Sequence, residues 1–188
     1  MKKIDAKRYS VWIVVAVCMS LSASLWSQEE FRARLLPGQG PSAQQAKKLR
    51  ILVDSYTSDE EVIHLIEVFN KSGYEQFRST LRGMNKGAIH PIGGRGTKLI
   101  LLAAQNIQTE KGRQIILVAE SYSWNIGTSF SFDQRFPFMV IKLDINNKGK
   151  GKGKIYLSAR IKLTSKGKIE MESYSSAPKQ LWGVSTKK

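Results

Sequence analysis

The run NNKGKGKGKIYLSARIKL, Asn146 to Leu163, sets Lys148, Lys150, Lys152 and Lys154 at every second position with single glycines between them. Ammonium groups at that density can hold a polyanion by displacing its condensed counterions, with little demand on geometry. The same row also reads as a solvated loop that keeps a sheet edge soluble. The flanking alternation favours the loop: pairing Ile145 with Ile155 and Leu143 with Leu157 keeps one apolar face continuous and leaves Asn146 to Lys154 to span the gap. Read this way, the glycines keep the comb mobile and alternate lysines point to opposite sides. Four lysines would release about four counterions, for a log–log salt slope of about −3. These four are the candidate anion-binding residues.

Other chemistry is thinly represented. His64 and His90 show no HxxxH, HxH or HExxH spacing, so no metal ligands are assigned. Gly93-Gly94-Arg95-Gly96 leads into an apolar run rather than a helix, which removes the dinucleotide and phosphate-loop contexts and leaves a turn. Paired carboxylates would have to come from Asp54, Asp59, Glu120, Asp133, Asp144, Glu170 and Glu172, and nothing in the sequence selects two of them. No catalytic residue and no cofactor is assigned. The main enzymatic alternative is a hydrolase site near residues 120–135, where Tyr122, Trp124, Phe130 and Phe132 would line a pocket around Glu120 or Asp133.

The formal charge is +15 over 188 residues, and residues 145–188 hold eleven Lys or Arg against Glu170 and Glu172 alone. Such a field favours acidic polysaccharide, anionic lipid or nucleic acid, and bears on association rather than fold. The first 27 residues set a basic opening (Lys2, Lys3, Lys7, Arg8) before an apolar run from Val11, with small residues at Ser22, Ala23, Ser24 and Ser27. That is the pattern of a cleaved export signal, too short for a lasting membrane span. Export to the periplasm or beyond puts envelope polymers ahead of nucleic acid as partners. Cys18 is the only cysteine, so cleavage would leave no disulfide and no thiol chemistry.

Among the elements that would position these residues, residues 28–47 show no sustained period and two Pro-Gly clusters, which predicts a tether. Residues 48–188 read as one α+β domain. Leu49, Ile51 and Val53 alternate as a strand. Ser58 and Glu61 form a capping box ahead of Val62, Leu65, Ile66 and Phe69, one helical stripe. Ser72 and Glu75 repeat the box before a second, shorter helix with Tyr74, Phe77, Leu81 and Met84 on a face. Beyond a short strand at Ala88 to Ile92, KLILLAAQNI and QIILVAES predict a hairpin turning at Gly112. Met139 to Ile145, Ile155 to Leu163 and Ile169 to Met171 predict a three-strand meander. A turn at Ser165, Lys166 and Gly167 would pair Lys162 with Glu170, Arg160 with Glu172 and Ile161 with Met171. The expected fold is therefore an antiparallel, curved sheet of about six or seven strands with two helices packed on one face.

The stretches DSYTSDEE, AIHPIGG, PFMVIKLDI, GKGKGKIYLSARIKL and IEMESYSSAPKQL together resemble a family of small exported bacterial proteins of unknown function. The resemblance implies export and supplies no activity or site residue. The function expected from the sequence is a non-catalytic binding or structural module with a basic surface that contacts anionic polysaccharide or lipid. A module that takes a protein partner along a sheet edge is the other alternative.

Overall fold

In the computed structural model the described residues are 28–35, 46–93, 98–121, 134–164, 167–174 and 177–187. The export signal, most of the aromatic connection (residues 122–133) and most of the GGRG turn lie outside them. The described strands are β1 (Glu29–Leu35), β2 (Lys47–Val53), β3 (Gly87–Ile92), β4 (Leu99–Thr109), β5 (Gly112–Glu120), β6 (Phe138–Asn146), β7 (Lys150–Leu163), β8 (Ile169–Tyr174) and β9 (Lys179–Lys187), with one helix, α1 (Asp59–Arg82). All neighbouring strands are antiparallel. β6 pairs with β7, β7 with β9 and β9 with β1, so eight strands close into a barrel and β8 lies outside it on the far half of β7.

The open curved sheet with two helices is thus corrected to a closed barrel with one helix. The strands missing from the sequence reading are β1 and β9, and these two complete the ring between β2 and β7. β1 falls inside the expected tether, yet Phe31, Ala33 and Leu35 point inward and Arg32 and Arg34 outward. β9 escapes a test for alternation because Leu181 and Val184, three apart, are both buried in the same cluster. The two expected helices are one element, Asp59–Arg82, kinked at Gly73 (φ 77°, ψ −173°) with helix resuming at once on either side. The capping box at Ser58 and Glu61 is present.

Two apolar clusters hold the molecule. The barrel interior is filled by side chains that include Phe31, Leu49, Ile51, Leu101, Leu117, Ile141, Leu143 and Leu181, as expected where eight strands leave only enough width for side chains. Outside, Leu65, Phe77 and Leu81 of α1 pack with Leu102, Ile116, Val118, Val140, Tyr156 and Ile161 from the outer faces of β4 to β7. Each fully buried side chain of this kind stabilises by about 1.5–3 kcal/mol. A bulge in β7 between the partners of Phe138 and Val140 turns the strand over, so Ile155 belongs to the interior while Ala159 and Ile161 join the outer cluster. The single dry face expected for Ile155 to Leu163 is therefore divided between two cores.

The hairpin register β7–β8 follows the reading closely. Ile161 opposes Met171 and Lys162 opposes Glu170, Thr164 N–H donates to Lys168 O at 3.0 Å, and Gly167 has φ 74°. A further bulge then sets Arg160 opposite Ser173, and the Arg160 guanidinium still reaches Glu172 at 2.8 Å.

One end of the barrel is closed by polar groups. The Tyr56 hydroxyl donates to Glu29 at 2.6 Å, Arg113 pairs with the same carboxylate, and its guanidinium lies 5.7 Å from the Phe31 ring centre. Burial, then the Glu29 charge, pushes the Tyr56 phenol well above its ordinary value. Tyr56→Phe is expected to lower stability by about 2 kcal/mol, since a partly buried carboxylate loses a donor. A raised phenol stabilises the fold at every pH below the unfolded value of about 10 and loses that contribution as pH climbs towards the folded one. Urea unfolding should therefore show wild type and variant converging above about pH 10, and a constant gap across that range would contradict the assignment.

Candidate anion-binding wall

β7 starts at Lys150, so most of the lysine comb is strand and not loop. The turn before it is Asn146 to Gly149: Gly149 N–H donates to Asn146 O at 2.9 Å, and Asn146 Oδ1 accepts Lys148 N–H at 3.0 Å and Lys150 N–H at 3.1 Å. The register differs from the expected one by four residues along β7: Ile145 opposes Gly151, Leu143 opposes Gly153, and Ile141 opposes Ile155. Glycine takes those interior places because the strands approach too closely for a side chain. A Cβ on Gly151 would lie 1.8 Å from Asp144 O, and one on Gly153 would lie 2.7 Å from Lys142 O.

With the glycines turned inward, Lys150, Lys152 and Lys154 all turn outward and are exposed. The expectation that alternate lysines diverge is therefore corrected: a spacing of two places residues on one face of a strand, roughly 6.7 Å apart. Lys148 sits in the turn at the head of the row.

Neighbouring strands extend the positive surface. Lys142 of β6 opposes Lys154, while Asp144, which opposes Lys152, accepts from Gln114 at 2.8 Å. On the other side β9 presents Trp182, 58% exposed, and β1 sets Arg34 opposite it. Lys48 of β2 opposes Arg34, and Arg50 opposes Arg32. Arg32 and Arg50 both bond Glu30, at 2.9 and 2.8 Å, and these two guanidinium groups hold its carboxyl below the ordinary range although burial acts against them. Among the described residues no carboxylate pairs with Arg34, Lys48, Lys150, Lys152 or Lys154. Towards the barrel rim, burial and then the Lys47 charge push the Lys179 ammonium below its usual value. A shallow groove of about 440 Å³ gathers Lys111, Arg113, Lys150, Lys152, Asn146 and Trp182.

No family model, curated protein or solved structure matches this chain. Function is accordingly read from the wall's own chemistry.

The remaining sequence candidates are dispersed. Glu120 is buried and paired with Arg82, a structural ion pair between α1 and β5. Asp133, Tyr122, Trp124, Phe130 and Phe132 lie outside the described residues. His64 is exposed on α1, and His90 stands on β3 opposite Arg50. No group of three metal-ligating side chains occurs among the described residues. Barrel closure leaves β8 with one partner strand, so it is the described free edge, and it carries Glu170 and Glu172. The sequence reading missed Arg34, Lys48 and Trp182. The alternation of arginines with Phe31, Ala33 and Leu35 carried that signal for β1.

Proposed function

We propose that this chain is an exported, non-catalytic binding module whose basic barrel wall holds anionic polymers of the cell envelope. The observation that carries the reading is the row of Lys150, Lys152 and Lys154, exposed on one face of β7 and free of carboxylate partners among the described residues. The signal-like first 27 residues and the concentration of charge in residues 145–188 support it. The barrel's polarity agrees with contact from outside: the interior is apolar and filled, and this part of the wall is charged. A transmembrane barrel has the opposite arrangement, with an apolar band outside.

Counterion release makes the reading quantitative. Arg34, Lys48, Lys142, Lys150, Lys152 and Lys154 engaging a flexible polyanion would give a log–log salt slope of about −4. Replacing Lys150, Lys152 and Lys154 together by Gln should reduce the slope to about −2 and weaken binding on the order of 100-fold in 0.1 M salt. The melting temperature should hardly move, because the three side chains are exposed. Heparin titrations at rising salt measure this, and an unchanged slope in the substituted protein would exclude the wall as the binding surface.

A further inference from the structure

Trp182 is the feature of the wall that charge alone leaves unexplained. The ring is 58% exposed and lies outside both cores, and its placement depends on a specific backbone device. Gly183 has φ 58°, and the β9 ladders shift there on both sides: Gly151 opposes Val184 and Gly153 opposes Leu181, while Arg32 opposes Ser185 and Arg34 opposes Trp182. Lys152 thus faces two residues, Trp182 and Gly183, on the bulged strand. The bulge lets Leu181 and Val184 both enter the core and turns Trp182 outward. Bulges commonly re-aim a side chain in this way beside functional sites.

Across the wall the result is a row, Arg34, Trp182, Lys152, on three adjacent strands. Strands stand about 4.8 Å apart, so Arg34 and Lys152 leave the backbone about one strand width from Trp182 on either side. A sugar ring laid on the indole face would carry its acidic substituent a comparable distance from the ring centre, towards either cation. Gln180 and Ser185 of β9 and Asn146 in the adjoining groove offer hydrogen-bonding partners for hydroxyls. We infer that Trp182, with Arg34 and Lys152 on either side, is a stacking platform that makes the wall a reader of acidic polysaccharides. This rests on the polyanion reading and narrows it to polymers whose charge is carried on pyranose rings. Single-stranded nucleic acid is less well served, because its bases stack on successive aromatics and Trp182 is the one exposed aromatic among the described residues of this wall. A lipid surface would require apolar neighbours for insertion, and the cross-strand neighbours of Trp182 are Arg34 and Lys152.

The test compares wild type, Trp182→Ala and Trp182→Phe binding to polygalacturonate, linear polyphosphate, oligothymidylate and phosphatidylglycerol vesicles at one salt concentration. Polygalacturonate affinity should fall about tenfold or more with alanine and recover partly with phenylalanine, while polyphosphate affinity stays unchanged. Equal loss on polygalacturonate and polyphosphate would mean that the substitution disturbs the wall, and would overturn stacking. An effect confined to oligothymidylate or to vesicles would replace the glycan by that partner. If polygalacturonate binds and ignores Trp182, the inference fails while the charged wall stands. If none of the four binds wild type, both readings fall.

Discussion

Alanine at position 151 is expected to destabilise the protein by about 3 kcal/mol, at the upper end for overpacking a closely fitted site. Its Cβ would fall 1.8 Å from the Asp144 carbonyl oxygen and 2.8 Å from the carbonyl carbon, both backbone atoms that cannot rotate away. β6 and β7 would have to separate where the barrel closes. For a domain of this size the melting temperature should drop by roughly 6–12 °C, whereas Lys152→Gln next to it should change it by less than about 1 kcal/mol equivalent. Were the run a wet loop, both substitutions would be silent, so a silent Gly151→Ala would contradict the strand assignment.

The second large effect is expected at Glu61. One carboxylate oxygen accepts Ser58 N–H at 2.8 Å in the capping box, and the other binds the Lys86 ammonium at 2.6 Å. Lys86 is itself buried, and its backbone joins helix to barrel: its N–H donates to Leu101 O at 2.7 Å and its carbonyl accepts Asp54 N–H at 2.9 Å. Glu61→Ala removes the carboxylate arm of the capping box, while Ser58 Oγ still accepts the backbone N–H of residue 61, and leaves a buried ammonium without its partner. Unpaired buried charges cost about 3–5 kcal/mol, and the 37% exposure of the Glu61 side chain brings the expectation to about 3 kcal/mol. Burial pushes the Glu61 carboxyl up, but Lys86 and the Ser58 N–H more than offset this and leave it below its ordinary value. A lowered carboxylate stabilises the fold above its unfolded pKa of about 4.3, and that stability is lost as pH falls through the folded value. The difference between wild type and Glu61→Ala should therefore be full at neutral pH and shrink below about pH 4. Denaturant unfolding across that range measures it, and a gap independent of pH would contradict a contribution from the ionised carboxylate.

How much of this was legible depended on what each strand buries. β2 and the second half of β6 alternate, with Leu49, Ile51 and Val53 or Ile141, Leu143 and Ile145 facing inward, and β5 is a continuous apolar run buried on both faces; all three were readable as strands. The β7–β8 register was readable because a left-handed glycine and two opposite-charge positions coincide. Closure was not readable. β9 hides its period behind the Gly183 bulge, and β7 begins with glycines at its interior positions, where an apolar residue would have marked a strand. Matching apolar residues across β6 and β7 consequently gave a register displaced along β7. The same displacement concealed the candidate site, because lysines assigned to a loop had no common face. Once Gly151 and Gly153 are seen to fill the closely approaching interior, the lysines must stand together outside.

The proposed wall depends on position: Lys150, Lys152 and Lys154 share one face of β7 beside Arg34 and Trp182. Charge-matched variants separate position from net charge. One carries Lys150, Lys152 and Lys154 changed to Gln, the other Lys71, Lys98 and Lys168, which are exposed elsewhere on the molecule. Both lose three positive charges. Heparin affinity measured across a salt series should show the log–log slope reduced by about 2 in the first and nearly unchanged in the second. Equal reductions in the two would mean that the polymer responds to overall charge, and the binding wall would be refuted.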